Sequence, residues 1–235
     1  MRIRHLRTAL AVAGFLCASP LWPQTAVRPE FAPVTDDPAL PRVLLIGDSI
    51  SIGYTLAVRE HLRGVANVHR PPENCGATER GLEKIERWLG TGRWDLIHFN
   101  WGLHDLKYLD GNNQLALPPR GKQVASPEEY GRNLEKLVLR LKKTAAALLW
   151  RPTTPVPEGA AGRYPADAPR YNEVALRIMR RHGVAVDDLN AFIAARKIPH
   201  VQPDNVHFSA DSSEMLGRHI AEVIRGSLGA RKPAR

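Results

Sequence analysis

Apolar residues along the chain follow two spacings in turn, one typical of strands and one typical of helices. Short continuous apolar runs occur in RVLLIGDS, NVHR, DLIHFNWG, AALLW and VAVDDL. Runs of this length, rich in Val, Leu and Ile, are typical of strands buried on both faces of a parallel sheet. Between these runs, apolar residues recur every three or four positions, as on one face of a helix. The pattern therefore predicts about five strands separated by helices.

The helical segments carry their own start and stop signals. In SPEEYGRNLEKLVLRLKKT, Ser126 is the expected N-cap, Pro127 takes the first helical position and Glu129 closes a capping box. Further helices are predicted over residues 52–63, 78–90 and 169–182, and from 209 onward.

Strands and helices that alternate about five times predict an α/β fold. We expect a three-layer α/β/α sandwich, a flavodoxin-like doubly wound parallel sheet of about five strands. In such sheets, sites form outside the carboxyl ends of the strands. The residues that follow the predicted strands are Asp48, Ser49, 74–76, 102–105, Thr153 and Thr154. His207, just before the last helix, is expected at the same edge.

The first 41 residues read as two segments that precede the domain. Residues 1–26 have a basic start, an apolar centre and a closing Ala26, as in a secretory signal peptide. Residues 27–41 form a Pro-rich leader, and 42–230 the predicted catalytic domain. A secreted or periplasmic protein follows, and no second apolar run is long enough for a stable membrane span.

Charge and cysteine content exclude several classes of site. The net charge of +9 falls to +6 without residues 1–26, which hold Arg2, Arg4, Arg7 and no acidic residue. No dense basic patch with interleaved aromatic residues is present, so nucleic acid is not an expected partner. Of the two cysteines, only Cys75 lies outside the signal peptide. An internal disulfide and a thiolate metal site are therefore not expected, and Cys75 is expected to be a buried small side chain.

Two segments suggest nucleophilic chemistry. Ser49 directly follows Gly47-Asp48 at the end of the first strand, where a serine acts either as a nucleophile or as a helix N-cap. In DNVH, the spacing lets the Asp204 carboxylate accept from Nδ1 of His207 and leaves Nε2 free as a general base. Together, these three residues predict a catalytic triad.

Acyl transfer also needs hydrogen-bond donors for the developing oxyanion. Ser49 N–H and Gly76 N–H are candidates, and His104 in HFNWGLHDL is the candidate third donor, with Asn100 as an alternative. Asp105 would brace the loop or the His104 ring, and Asp48 is a further supporting residue. A turn glycine at 76 and a surface histidine at 104 are the alternatives.

These blocks, in this order, resemble the SGNH hydrolases, the GDSL-type esterases and lipases. The resemblance extends from Arg42 to about Leu228: GDSIS, NCGAT and DNVH match the first, second and last blocks. The third block of the family is usually Gly-x-Asn-Asp, and here His104 stands in the Asn position. The resemblance implies hydrolysis of acyl esters, often O-acetyl groups on carbohydrates, without a metal or organic cofactor. Trp101, Trp150 and Tyr164 are candidates to stack on sugar rings, or else belong to the core.

Two other functional classes remain open on the sequence. The altered third block is compatible with a non-catalytic carbohydrate-binding or envelope-assembly protein on the same fold. The strand–helix order also permits a flavodoxin-like cofactor binder, although no Gly-rich phosphate loop follows the first strand. The sequence contains no signal for the oligomeric state.

Overall fold

The computed structural model describes residues 27–230, so the predicted signal peptide lies outside the described residues. Seven strands and six α-helices are recorded within that range, with a 3₁₀ turn at Pro29–Phe31. The strands are β1 Arg42–Ile46, β2 Asn67–His69, β3 Leu96–Phe99, β4 Tyr108–Leu109, β5 Lys122–Gln123, β6 Ala147–Trp150 and β7 Ala185–Val186. The helices are α1 Ser49–His61, α2 Thr78–Leu89, α3 Pro127–Lys142, α4 Asp167–His182, α5 Leu189–Arg196 and α6 Ala210–Gly229.

Five of the strands form one parallel sheet in the order β2-β1-β3-β6-β7. This is the strand order of a flavodoxin-like sheet, so the predicted fold class is confirmed. The order reverses between β1 and β3, which pair from Val43↔Leu96 to Ile46↔Phe99. The crevice at the carboxyl ends of β1 and β3 is therefore the expected ligand position.

The helices pack in two groups on the sheet. α1 packs against α6, which also contacts α5, while α3 contacts both α2 and α4. From β1 the chain moves to β2 at one edge of the sheet, and from β2 it crosses back past β1 to β3. These two crossovers run in opposite directions and are both right-handed, so α1 and α2 lie on opposite faces of the sheet. These two groups and the sheet give the three layers.

The core follows the sequence pattern closely. β1 is buried along Val43–Ile46, as a strand covered by helices on both faces must be. In α3, Ser126 and Glu129 form the predicted capping box. The apolar face of that helix is fully buried and consists of Tyr130, Leu134, Leu137, Val138 and Leu141.

Several local elements differ from the prediction. α1 begins at Ser49 rather than at residue 52, because Asp48 caps it. The polar stretch 107–125 contains the antiparallel pair β4–β5, and α5 follows β7 directly. β4, β5 and α5 contain only two to eight residues, too few to show a clear hydrophobic period.

The Pro-rich segment 27–41 packs against the domain. Arg59 of α1 donates to the carbonyl oxygens of Pro29 and Ala32, at 3.1 and 3.3 Å. Asn67 of β2 accepts from the backbone N–H of Asp37 at 2.9 Å. These contacts cover α1 and the sheet edge at β2. Among residues 27–230, no helix is long and apolar enough to cross a membrane.

Candidate active site

Ser49 is the first residue of α1 and lies at the carboxyl end of β1. The N-cap position belongs to Asp48, whose carboxylate accepts from the N–H of Ile50 at 3.0 Å. The cap interpretation of Ser49 is therefore wrong, and its hydroxyl is free for another partner. No acceptor for the Ser49 N–H is recorded in residues 27–230. Because Ser49 is the first residue of α1, this N–H lies at the positive end of the helix dipole and can donate to an anion.

The hydroxyl of Ser49 is paired with His207. Ser49 Oγ lies 2.9 Å from His207 Nε2, and His207 Nδ1 lies 2.8 Å from the side-chain oxygen of Asn205. Because an amide oxygen only accepts, Nδ1 carries the ring proton and Nε2 has a free lone pair. Nε2 therefore accepts from the Ser49 hydroxyl, which is the arrangement of a nucleophile and its general base.

The predicted bond between Asp204 and His207 is absent from the structure. The Asp204 side chain is exposed and has no recorded hydrogen bond among the described residues. Asn205 takes its place, since its side-chain oxygen accepts from both the backbone N–H of His207, at 2.9 Å, and Nδ1. This residue lies inside the DNVH motif, but sequence spacing does not show which of two adjacent polar side chains turns toward the ring.

The loop that carries His207 is held at both ends. The carbonyl of His207 accepts from the N–H of Val201 at 2.8 Å, and Ser209 caps α6. The rings of His200 and Phe208 stack with centroids 4.7 Å apart, and His200 bonds the carbonyl of Pro155 at 3.2 Å. The imidazole is therefore positioned by α6 and by the loop that follows β6.

The second predicted block lies beside the first. Cys75 donates its N–H to the carbonyl of Gly47 at 3.2 Å. Gly76 has a φ of +61°, which favours glycine, and its N–H is donated to the side chain of Asn74 at 2.9 Å. The Gly76 N–H reaches an oxyanion only if it shares or releases this bond. Cys75 is free and fully buried, and burial raises the pKa of its thiol to about 12, which makes it unreactive.

Arg70, which the sequence analysis did not single out, joins these two blocks. Its buried guanidinium donates to Ser51 Oγ at 3.0 Å and Thr55 Oγ1 at 2.8 Å in α1, and to the carbonyls of Gly47 and Glu73 at 3.4 and 3.3 Å. The side chain thus fixes the Ser49 turn relative to the Gly76 loop. The sequence gives no signal for this role, because the partners of Arg70 in and before α1 lie 15 to 23 residues away along the chain.

His104 follows β3 and lies within electrostatic range of Asp48 and His207. Its Nδ1 faces Lys107 Nζ at 3.5 Å. An ammonium group only donates, so the ring proton belongs on Nε2, which leaves an N–H available. Burial lowers the pKa of His104 to about 4, with Lys107, Arg163 and His207 acting in the same direction, so the ring is neutral near pH 7.

Asn100, the alternative donor, is occupied elsewhere. Its amide group donates to the carbonyls of Arg151 at 2.8 Å and Trp101 at 3.3 Å. Both hydrogens are used to join the ends of β3 and β6, so Asn100 supports the sheet edge and has no hydrogen left for an oxyanion. Asp48, a second supporting residue that is buried, lies 3.8 Å from the guanidinium of Arg151.

Asp105 braces the loop rather than the His104 ring. Its fully buried carboxylate accepts from the backbone N–H of Thr78 at 2.9 Å and from the Thr78 hydroxyl. Thr78 is the first residue of α2, so the contact joins the third block to the end of the Gly76 loop. Burial raises the pKa of Asp105 to about 7 despite these bonds, and Oδ2 has no hydrogen-bond partner within residues 27–230.

This pKa makes stability depend on pH in a defined direction. The folded protein binds the Asp105 proton more tightly than the unfolded chain, so stability falls as the pH rises from about 4 to about 7, by at most about 1.4 kcal/mol per pH unit. Asp105→Asn keeps an acceptor for Thr78 and should flatten this slope in urea unfolding. Asp211→Asn, at an exposed position of α6, is the control. Equal slopes for Asp105→Asn and wild type would contradict the assignment.

The aromatic candidates divide clearly. Trp101 and Trp150 are each 1% exposed and belong to the core. Tyr164 is 39% exposed and packs edge-to-face on Tyr108, with ring centroids 5.5 Å apart. Only Tyr164 of these three remains available to a sugar. Among residues 27–230, no group of three or more His, Cys, Asp or Glu side chains is placed to hold a metal ion.

Comparison with solved structures gives the same fold, while no known family profile and no curated protein matches the chain. An acetyl xylan esterase matches 78% of this chain and 99% of its own, with a TM-score of 0.63 and 13% identity. A lipase/acylhydrolase from Enterococcus faecalis matches 83% and 99%, with a TM-score of 0.62 and 20% identity. An acetylxylan esterase from Geobacillus stearothermophilus matches 78% and 94%, with a TM-score of 0.61 and 18% identity. The chain therefore has the fold of esterases and acylhydrolases, as its resemblance to the SGNH hydrolases implied.

Proposed function

We propose that this protein is a serine esterase that hydrolyses acyl esters, with O-acetyl groups on carbohydrates as the substrate class. The observation that carries the proposal is the 2.9 Å contact between Ser49 Oγ and His207 Nε2, at the sheet position where ligands bind in this fold. The fold it shares with acetyl xylan esterases supports the same chemistry. The resemblance of residues 1–26 to a secretory signal peptide supports a secreted or periplasmic enzyme with access to such polymers.

The reaction follows from the positions of these groups. His207 Nε2 takes the proton of Ser49 as Oγ attacks the ester carbonyl carbon. The oxyanion that forms accepts from the Ser49 N–H and from His104 Nε2–H, with the Gly76 N–H joining once it turns from Asn74. His207 then gives its proton to the departing alcohol. Water, deprotonated by His207, then attacks the acyl carbon on Ser49, and as the acid leaves, His207 returns the proton to Ser49 Oγ.

Covalent labelling tests the nucleophile directly. A fluorophosphonate should modify the folded protein at one serine, and mass spectrometry should map the adduct to Ser49. Ser51, two residues away, is fully buried and serves as an internal comparison within the same peptide. Absence of labelling, together with no hydrolysis of p-nitrophenyl acetate, would refute the proposal and favour glycan binding without catalysis.

The residue that orients His207 gives a separate prediction. Asn205→Ala removes the acceptor at Nδ1 and should lower kcat on the order of tenfold, since the ring loses its fixed tautomer. Asp204→Ala should change kcat less than about threefold, because that side chain makes no recorded bond. The two variants are neighbours in one loop and control for each other. A larger loss in Asp204→Ala would show that the carboxylate turns to the ring during catalysis, as the motif predicts.

A further inference from the structure

We propose that Lys107 and Arg163 bind a carboxylate of the substrate, so that the enzyme acts on acyl esters of acidic sugars such as uronic acid polymers. This inference rests on the proposed esterase function and names its substrate class. It starts from two cations that lie beside His104 and for which no ion pair is recorded among residues 27–230.

Both side chains are held close to the third block. Lys107 Nζ lies 3.5 Å from His104 Nδ1. Arg163 donates from Nε to the carbonyl of Leu103 at 3.2 Å and from Nη1 to the carbonyl of Ala161 at 3.2 Å. The charged ends therefore flank the residue that donates to the oxyanion.

Neither cation forms an ion pair within the described residues. No carboxylate oxygen of residues 27–230 lies within 4.0 Å of Lys107 or Arg163, and Arg163 Nη2 has no recorded hydrogen bond. Each is partly buried, and burial and the neighbouring Arg163 lower the pKa of Lys107 by more than the charge of Asp105 raises it. Two partly desolvated like charges repel each other, and an anion placed between them removes that cost.

The two cations are held together by contacts between their loops. Tyr108 donates its N–H to the carbonyl of Gly162 at 2.8 Å, and the Tyr108 and Tyr164 rings pack edge-to-face. A side chain at Gly162, which has a φ of +61°, would collide with Leu115 and the Tyr108 carbonyl. The loop 151–166 is therefore fitted closely to the segment after β3, so the charges are positioned before substrate arrives.

The position of Arg163 near Ser49 indicates which kind of anion it would bind. Asp48 also acts on the charge of Arg163, which places the guanidinium near the Ser49 turn. An anion bound there belongs to the same sugar as the ester or to its neighbour. Arginine binds planar carboxylates through two parallel hydrogen bonds, and Nη2 is free for one of them.

One pair of substrates isolates the charge. Acetylated polygalacturonate and the same polymer after methyl esterification share sugar and acetyl group and differ in the carboxylate. At low ionic strength, the wild type should show at least a tenfold higher kcat/KM on the free acid, and salt should reduce this preference. Arg163→Gln should reduce the ratio about tenfold, mainly through KM. Arg180→Gln, an exposed arginine of α4 without a recorded ion pair, should leave the ratio unchanged.

A binding measurement separates this inference from the esterase proposal. Calorimetry with the Ser49→Ala protein and deacetylated galacturonate oligomers should show binding that is lost on methyl esterification and weakened in Ser49→Ala/Arg163→Gln. Equal kcat/KM on the two polymers, or no binding of the acidic oligomers at millimolar concentration, would overturn the inference. Hydrolysis of p-nitrophenyl acetate reports on the esterase proposal alone.

Discussion

Replacing Ser49 with alanine is expected to lower kcat for p-nitrophenyl acetate on the order of 10⁴-fold or more. In the proposed mechanism the hydroxyl oxygen forms the acyl intermediate, and no neighbouring group can take over. The only other serine in this turn, Ser51, is fully buried and bonded to the carbonyl of Asp48. Water activated by His207 is left as the nucleophile, without the advantage of a fixed position.

The same variant should remain folded, and this separates catalysis from stability. Asp48, rather than Ser49, caps α1, and alanine is the best helix former, so the midpoint of thermal unfolding should change by no more than a few degrees. Ser213→Ala, on the face of α6 toward Gly53, is a matched control that should retain wild-type activity. Wild-type turnover by folded Ser49→Ala would remove Ser49 from the mechanism.

The fold was predictable because it depends on signals that repeat along the chain. Continuous apolar runs mark the five sheet strands, and Ser126 and Glu129 mark a helix start through bonds three residues apart. Local chemistry of this kind is readable from sequence. β4 and β5, with two residues each in the stretch 107–125, carry no such run and were not predicted.

The site was predictable only in part, for the same physical reason. Ser49 and His207 lie in compact motifs, and the structure brings them together across 158 positions. Arg70 and Arg163 act through contacts with segments 15 to 60 residues away, and no local pattern announces such pairs. Within DNVH, adjacent side chains compete for one ring nitrogen, and the backbone of the loop decides which of them reaches it.

The second large effect is expected at His104. His104→Ala removes one proposed oxyanion donor and should lower kcat by about 10²- to 10³-fold with little change in KM, since that interaction would form only in the transition state. His104→Asn supplies an amide N–H in its place, the residue usual in the SGNH hydrolases, and should retain activity within about tenfold of wild type. His61→Ala, at a surface histidine of α1 paired with Glu214, is the control.

The pH profile distinguishes a donor from a base at this position. Because the pKa of His104 is about 4, the ring stays neutral above about pH 5 and donates from Nε2 throughout that range. The profiles of wild type and His104→Asn should therefore have the same shape above pH 5. If a rise or fall in the wild-type pH–rate profile is missing from the profile of His104→Asn, then His104 exchanges protons during the reaction. Equal activity of His104→Ala and wild type would leave the backbone N–H groups as the whole oxyanion site and return His104 to a structural role beside Lys107.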